Sequence, residues 1–314
     1  MQIIDKTIID SALNFEMLLE AMQQGFSQHF CMPKRNVYEL NESDTNHDAF
    51  AVLPAWNEQF IGVKAFTYFP KNSQAGYASL YSKIMLFSRE YGEPLALVDG
   101  TCITLWRTST VSALASRYLS RENSKHLVFF GSGNLAAYMI RAHLTVRDYK
   151  TVTLVARNQQ KVAILQAQLQ HVFPQVNFVI GQSCEVLIGS ADVISCATGS
   201  PTPLFDGNWL QPGTHVDLIG NHHSEHRECD TATIIRSRVY VDSKINVLGE
   251  AGDLLLPIKE GVFSEQDVCA ELADLAKINT TARFNETDIT VFKSVGTALS
   301  DLIAAGQVYQ SLQG

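Results

Sequence analysis

The chain has 314 residues, of which 46% are hydrophobic and 18% charged, and its 24 Lys and Arg against 32 Asp and Glu leave a formal charge of −8. That length suffices for about two domains with cores of their own, and so apolar a composition excludes a disordered chain, which could not offset the entropy of ordering. The acidic balance and the lack of a Lys/Arg-rich block argue against a nucleic-acid surface. The opening Met1-Gln2-Ile3-Ile4-Asp5-Lys6 reads as neither a secretory signal nor a membrane span, so a cytoplasmic protein is expected.

In chain order, Asn14 caps a helix whose apolar residues Phe15, Leu18, Leu19, Met22, Phe26 and Phe30 recur at helical spacing, with Pro33 as its stop. From Ala49 to Leu97 the pattern changes to short β-rich runs, Phe50–Leu53, Phe60–Phe66, Ser79–Tyr81 and Ile84–Phe87, separated by Pro, Gly and Asn turn signals. A mostly antiparallel sheet behind one helix is expected. The Ala-, Leu- and Ser-rich stretch from Thr104 to Leu119 reads as a connecting helix.

The rhythm then becomes strand, helix, strand: Leu127–Phe130, a helix from Asn134 to about Thr145, then Val152–Val155. Further strands are expected at Asn177–Ile180, Asp192–Ser195, Thr214–Ile219 and Arg238–Asp242. Continuous apolar strands alternating with helices predict an α/β fold, a Rossmann-type doubly wound parallel sheet, beside a discontinuous α+β domain to which the C-terminal helix returns. The expected division is 1–112 with 295–314, and 113–294. Six cysteines with no Cys-x-x-Cys pair read as small buried apolar residues.

Gly131-Ser132-Gly133-Asn134-Leu135-Ala136 follows an apolar strand and opens a helix, the setting in which two glycines let backbone approach a pyrophosphate at a helix N-terminus. The second strand ends in Val155-Ala156-Arg157-Asn158, with no acid to hold a ribose 2′-hydroxyl. Arg157 is either a solvated strand-end residue or a partner for adenine and a 2′-phosphate. NADPH is favoured as cofactor and NADH is the alternative.

Three cations stand in otherwise apolar settings: Arg35, Lys64 and Arg107. Burying such a charge is costly unless an anion meets it, so together they predict a carboxylate site; singly, each would be a surface residue with a snorkelling stem. His222, His223 and His226 with Glu228, Cys229 and Asp230 lie in a strand-to-loop exit, where they do not share a face, so no metal is expected. His222 and His223 are either loop histidines or an auxiliary proton carrier.

In these segments, and in Pro70-Lys71-Asn72, Asp99-Gly100-Thr101, Glu250-Ala251-Gly252-Asp253 and Val291-Phe292-Lys293-Ser294-Val295-Gly296, the chain resembles the ornithine cyclodeaminase and μ-crystallin family over essentially its whole length. The resemblance implies a homodimer whose first domain dimerises and binds substrate. It also implies substrate contacts at Arg35, Lys64, Arg107 and Gly296, and cofactor contacts at Ser79, Arg107, Thr108, Gly131, Ser132, Gly133, Asn134, Leu135, Arg157, Asn158, Ala197, Thr198, Gly220 and Val295. Where cyclodeaminases carry an Asp after the glycine of the fifth Rossmann strand, this chain has Asn221, and Ala51 stands where they read the distal amine of ornithine. With Lys293 before Ser294, these departures resemble the ketimine and Δ1-pyrroline-2-carboxylate reductase branch.

That branch reduces a cyclic imino acid to L-proline or, for the six-membered ring, L-pipecolate. Arg35 and Arg107 would clamp the carboxylate, Lys64 would protonate the imine nitrogen or serve as a third carboxylate ligand, and Asn221 and His223 are further catalytic candidates. Ornithine cyclodeaminase and alanine dehydrogenase are the alternatives within the family. A noncatalytic NADPH-binding crystallin is the alternative outside enzymes.

Overall fold

Asp5 and Asn14 accept hydrogen bonds from the backbone N–H of Ile8 and Met17 and so start α1 (Lys6–Ala12) and α2 (Phe15–Ser27), after the short strand β1 (Gln2–Ile4). Phe15, Leu18, Leu19, Met22 and Phe26 form the buried stripe of α2. Phe30 does not continue it: the chain turns extended at Gln28, and Phe30 lies in β2 (Phe30–Cys31), paired with Asn57 of the strand beyond. The computed structural model describes residues 1–41, 48–279 and 282–313.

Next come β3 (Asn36–Glu39), β4 (Ala49–Asn57), β5 (Phe60–Tyr68), β6 (Leu80–Ser88) and β7 (Pro94–Asp99). They form a sheet in the order β1-β7-β6-β5-β4-β2, with β3 also on β4, antiparallel except for β1 on β7. The runs expected as separate strands at Ser79–Tyr81 and Ile84–Phe87 are one strand. Ser82 is buried and Lys83 exposed, so this polar pair continues the alternation instead of ending it.

Register decides what each face carries. Leu53, Lys64, Ile84, Val98 and Ile4 pair across the sheet on its inner face, all buried. Pro54, Val63, Met85, Leu97 and Ile3 pair across the outer face, which is apolar and partly exposed, Met85 by 37% and Ile3 by 74%.

The helix α3 (Gly100–Leu119) leads into β8 (His126–Phe130), α4 (Ala136–Val146), β9 (Thr151–Val155), α5 (Gln159–Val172), β10 (Asn177–Ile180), α6 (Glu185–Gly189), β11 (Val193–Cys196) and β12 (His215–Leu218). Then follow α7 (Thr231–Ile235), β13 (Arg238–Val241), α8 (Lys244–Glu250), α9 (Gly252–Lys259), β14 (Val268–Glu271), α10 (Leu272–Ile278), β15 (Thr290–Lys293) and α11 (Ala298–Ser311). The second sheet is parallel throughout, in the order β10-β9-β8-β11-β12-β15-β13-β14. Its strand order reverses between β8 and β11, the place where open α/β sheets bind ligands.

Two compact units result, Met1–Arg107 with Thr297–Gly314, and Thr108–Gly296. The chain passes between them after Arg107 and Gly296, not after 112 and 294. No break in composition marks the change inside α3: Trp106 still packs against Phe15 and bonds to Asp10, whereas Ser112 already bonds to Asp217. In the first unit α11 packs on α2, β4, β5 and β6. Gly62 permits this close approach, since a Cβ there would stand 2.6 Å from Leu302 Cδ1. Among the cysteines Cys102, Cys196 and Cys229 are buried, but Cys184 and Cys269 are exposed, because each sits in a surface segment at the edge of a short element. No helix among the described residues is long and apolar enough to cross a membrane.

Candidate active site

Local sequence shapes a cleft in the second unit. β8 ends at Phe130, and Gly131 turns the chain with φ of 135°, its N–H donating to Val155 O. A Cβ at Gly131 would stand 2.8 Å from Ala197 O, whereas one at Gly133 would meet nothing within 4 Å. Gly131 is thus required by the fold, and Gly133 leaves open space that a ligand can enter. The helix expected from Asn134 begins at Ala136, with a tight turn in which Ala136 N–H donates to Gly133 O. No side chain of the N-cap residue Leu135 caps it, and the positive end of its dipole lies at the loop.

The cleft is about 520 Å3 and is lined by Gly131, Ser132, Gly133, Arg157, Asn158, Ala197 and Thr198 of the expected cofactor residues. Asn134, Leu135, Gly220 and Val295 are not among its lining residues. Lys161, Gln159, Gln182, Ser183 and Ser200 also line it and were not singled out from sequence. Asn158 spends its side-chain oxygen capping α5 by accepting from Lys161 N–H at 2.9 Å, which leaves Arg157 and Lys161 as the cations of the wall. No Asp or Glu lines the cleft among the described residues. Size, the uncapped helix start and the open side of Gly133 all fit a dinucleotide.

Behind the loops lies a buried charge network that the sequence did not reveal. Both oxygens of Glu228 accept hydrogen bonds, one from Thr198 N–H and hydroxyl at 2.7 and 2.8 Å, the other from Gly220 N–H at 2.7 Å. Glu228 thereby ties together the loops after β11 and β12. Burial pushes its carboxyl up to about 7, against the pull of Lys293. Lys293 lies wholly buried, 2.7 Å from Asp253 and donating to Asn221 O at 2.8 Å. Asp242 similarly fixes the chain after β15 by accepting from Val295 N–H at 3.1 Å and Gly296 N–H at 2.7 Å.

Asn221, expected among the catalytic residues, has its side chain engaged in the loop. Its amide donates to Ser200 O at 2.8 Å and accepts from His223 N–H at 3.0 Å, so the side chain braces a loop. His223 is exposed, accepts from Glu225 N–H on Nδ1 and stacks on His226 with ring centres 4.1 Å apart.

In the first unit Asp301, which was not singled out from sequence, joins two of the three expected cations, Lys64 and Arg107, while Arg35 acts on Lys64 through its charge. Asp301 Oδ1 accepts from Lys64 Nζ and from Arg107 Nε, both at 3.0 Å, and all three side chains are at most 10% exposed. Lys64 also donates to Thr104 Oγ1 at 2.5 Å. Burial lowers the Lys64 ammonium to about 8; Asp301 opposes this, and Arg107 and Arg35 add to it. Desolvation leads, and the two arginines come after it. The signal that could have found Asp301 is the same one that found the cations, a lone charge in an apolar run. Ser79 is exposed in a bend before β6, and Thr108 is buried in α3.

Comparison with known proteins gives three results. Residues 3–314 match the ornithine cyclodeaminase/mu-crystallin family. A Delta(1)-pyrroline-2-carboxylate reductase of Colwellia psychrerythraea is 53% identical over 314 residues, covering 99% of each chain. The solved structure of Thermococcus litoralis Delta(1)-pyrroline-2-carboxylate reductase in complex with NADH and L-proline superposes with a TM-score of 0.93 at 28% identity, covering 100% of this chain and 98% of that one.

Proposed function

Because the chain belongs to the ornithine cyclodeaminase/mu-crystallin family, we propose that it is an NAD(P)H-dependent reductase that turns Δ1-pyrroline-2-carboxylate into L-proline, working in the cytoplasm as a homodimer. The observation that carries this is the buried cluster of the first unit: Lys64 and Arg107 share the single carboxylate of Asp301, and Arg35 adds a third cation. Two buried cations on one carboxylate leave positive charge that suits a small monocarboxylate. A cyclic imine with a 2-carboxylate offers that anion beside an electrophilic carbon.

Arg107 meets Asp301 through Nε, which leaves its two terminal amino groups for a substrate carboxylate in an end-on fork. Arg35 supplies the second arm of the clamp. Fixing the carboxylate fixes the neighbouring C2, and orientation of this kind removes much of the barrier. Lys64 donates a proton to the ring nitrogen, which makes C2 more electrophilic. A reduced nicotinamide, when bound, would supply the hydride that C2 accepts. Gly131, Ser132 and Gly133 would hold its diphosphate, and Arg157 with Lys161 its adenosine end, where the absence of an acid favours a 2′-phosphate.

One assay pair tests the reaction. The purified protein is expected to consume NADPH with Δ1-pyrroline-2-carboxylate, faster than NADH at equal concentration, and to release no ammonia from L-ornithine with NAD. Ammonia and proline from ornithine at enzymatic rates would overturn the assignment, and NADPH binding without turnover of any cyclic imine would favour the crystallin-like alternative.

The outer face of the first sheet supports the homodimer. Its row of Pro54, Val63, Met85, Leu97 and Ile3 is an apolar surface of the kind a second copy buries. The wild type is expected to run as a dimer in light scattering, and Met85→Asp, which sets a charge in the middle of the row, to shift it to monomer. A monomeric wild type at micromolar concentration would remove the proposal.

A further inference from the structure

Asp301 lies in the first turn of α11, in the run Ala298-Leu299-Ser300-Asp301-Leu302-Ile303-Ala304-Ala305, of which all eight residues are buried and only Asp301 is charged. Nothing in the packing of such a helix needs a carboxylate. Its Oδ2 finds no hydrogen-bond partner among the described residues and is shielded from solvent, so the group is not there to satisfy the backbone. Its interactions are those of Oδ1 with Lys64 and Arg107, strengthened by the positive end of α11.

We propose that Asp301 is the positioning residue of the reduction: it keeps the proton on Lys64 and holds Arg107 in its end-on orientation, without itself touching substrate. This rests on Lys64 acting as the proton donor. The groups facing Lys64 are Asp301 from α11, Arg107 and Thr104 from α3, and Arg35 from the segment before β3. Thr104 gives its own hydroxyl proton to Gly100 O, so it meets the ammonium as an acceptor. Of the three ammonium protons, two are thus committed to Thr104 and Asp301, and one remains for a ring nitrogen. Burial and both arginines push the proton off, and Asp301 is the main charged group among the described residues that holds it on, the balance lying at about 8. Without that negative charge Lys64 would lose its proton at lower pH, and a smaller fraction of it could donate at neutral pH.

Asp301→Asn is the test, because the amide keeps Oδ1 and both of its hydrogen bonds while removing the charge, and its nitrogen takes the place of the unpartnered Oδ2. Lys64 is followed in the free protein by NMR of labelled lysine side chains, with Lys64→Met to identify its signal. The expected result is a Lys64 titration lowered by about one pH unit or more. The alkaline limb of kcat for imine reduction should move down by the same amount, which a purely structural role would not cause. An unmoved titration and limb in a folded variant overturn the proposal, as does a wild-type Lys64 that is uncharged at neutral pH; should the Asp301→Asn variant not fold, that wild-type titration decides. If Lys64 shifts but no cyclic imine is reduced, the pairing is supported and the substrate assignment alone fails.

Discussion

Lys64→Met is expected to lower kcat for reduction of Δ1-pyrroline-2-carboxylate by about a hundredfold to ten-thousandfold, the usual contribution of a placed general acid. The measurement is NADPH oxidation at saturating imine. Met matches the length and bulk of the Lys stem, so the inner-face row of Leu53, Ile84, Val98 and Ile4 keeps its packing. Arg107 remains to pair with Asp301, so no carboxylate is stranded in the core. The fate of KM separates the two roles open to Lys64. A proton donor acts in the transition state, and its loss lowers kcat with little change in KM; a third carboxylate ligand contributes to ground-state binding as well, and its loss raises KM while kcat holds. Unchanged turnover at saturating substrate removes the donor role. In the wild type the active form is protonated Lys64, so the rate is expected to decline as pH rises through about 8.

How much of this was legible in the sequence depended on whether the cause was local. Gly131-Ser132-Gly133 between an apolar strand and a helix is a local pattern, and so is the alternation that places Lys64 in a strand. Phe30 was misplaced because six apolar residues at helical spacing hide where a helix ends, and only pairing with Asn57 pulls this one into a sheet. Ser82 and Lys83 looked like an interruption because their fit depends on neighbours distant in sequence: Ser82 beneath Gly100, Lys83 bonded to Asp99. Asn221 stands out in the sequence by the residue type it replaces, whereas its bonds to Ser200 and His223 depend on how the loops fold. Asp301 lies 237 residues from Lys64, and Glu228 binds loops that begin 30 and 8 residues away. Such charge partners are set by topology: Asp301 shows in the sequence as a lone acid in an apolar run, whereas Glu228, between Arg227 and Asp230, has no such mark.

Gly131→Ala is expected to weaken dinucleotide binding roughly a hundredfold, and its neighbour Gly133→Ala supplies the contrast that explains why. At Gly131 the backbone lies at φ of 135°, which L side chains avoid, and the new methyl would stand 2.8 Å from Ala197 O and 3.6 Å from the Phe129 ring. Ala197 cannot give way easily, since its own N–H donates to Phe130 O and its neighbour Thr198 is held by Glu228. The strain therefore falls on the folded state, and the melting temperature should drop together with affinity for NADPH. At Gly133 the same methyl meets no atom within 4 Å, so the free protein accepts it. It projects into the space that a diphosphate must occupy to reach the backbone, and affinity should fall with the melting temperature unchanged. Thermal melts and NADPH fluorescence titrations on both variants make the comparison. Affinity for NADPH that survives Gly133→Ala would mean that the ligand does not approach this loop, and would return the cleft beside β8 to a mere gap between strand ends.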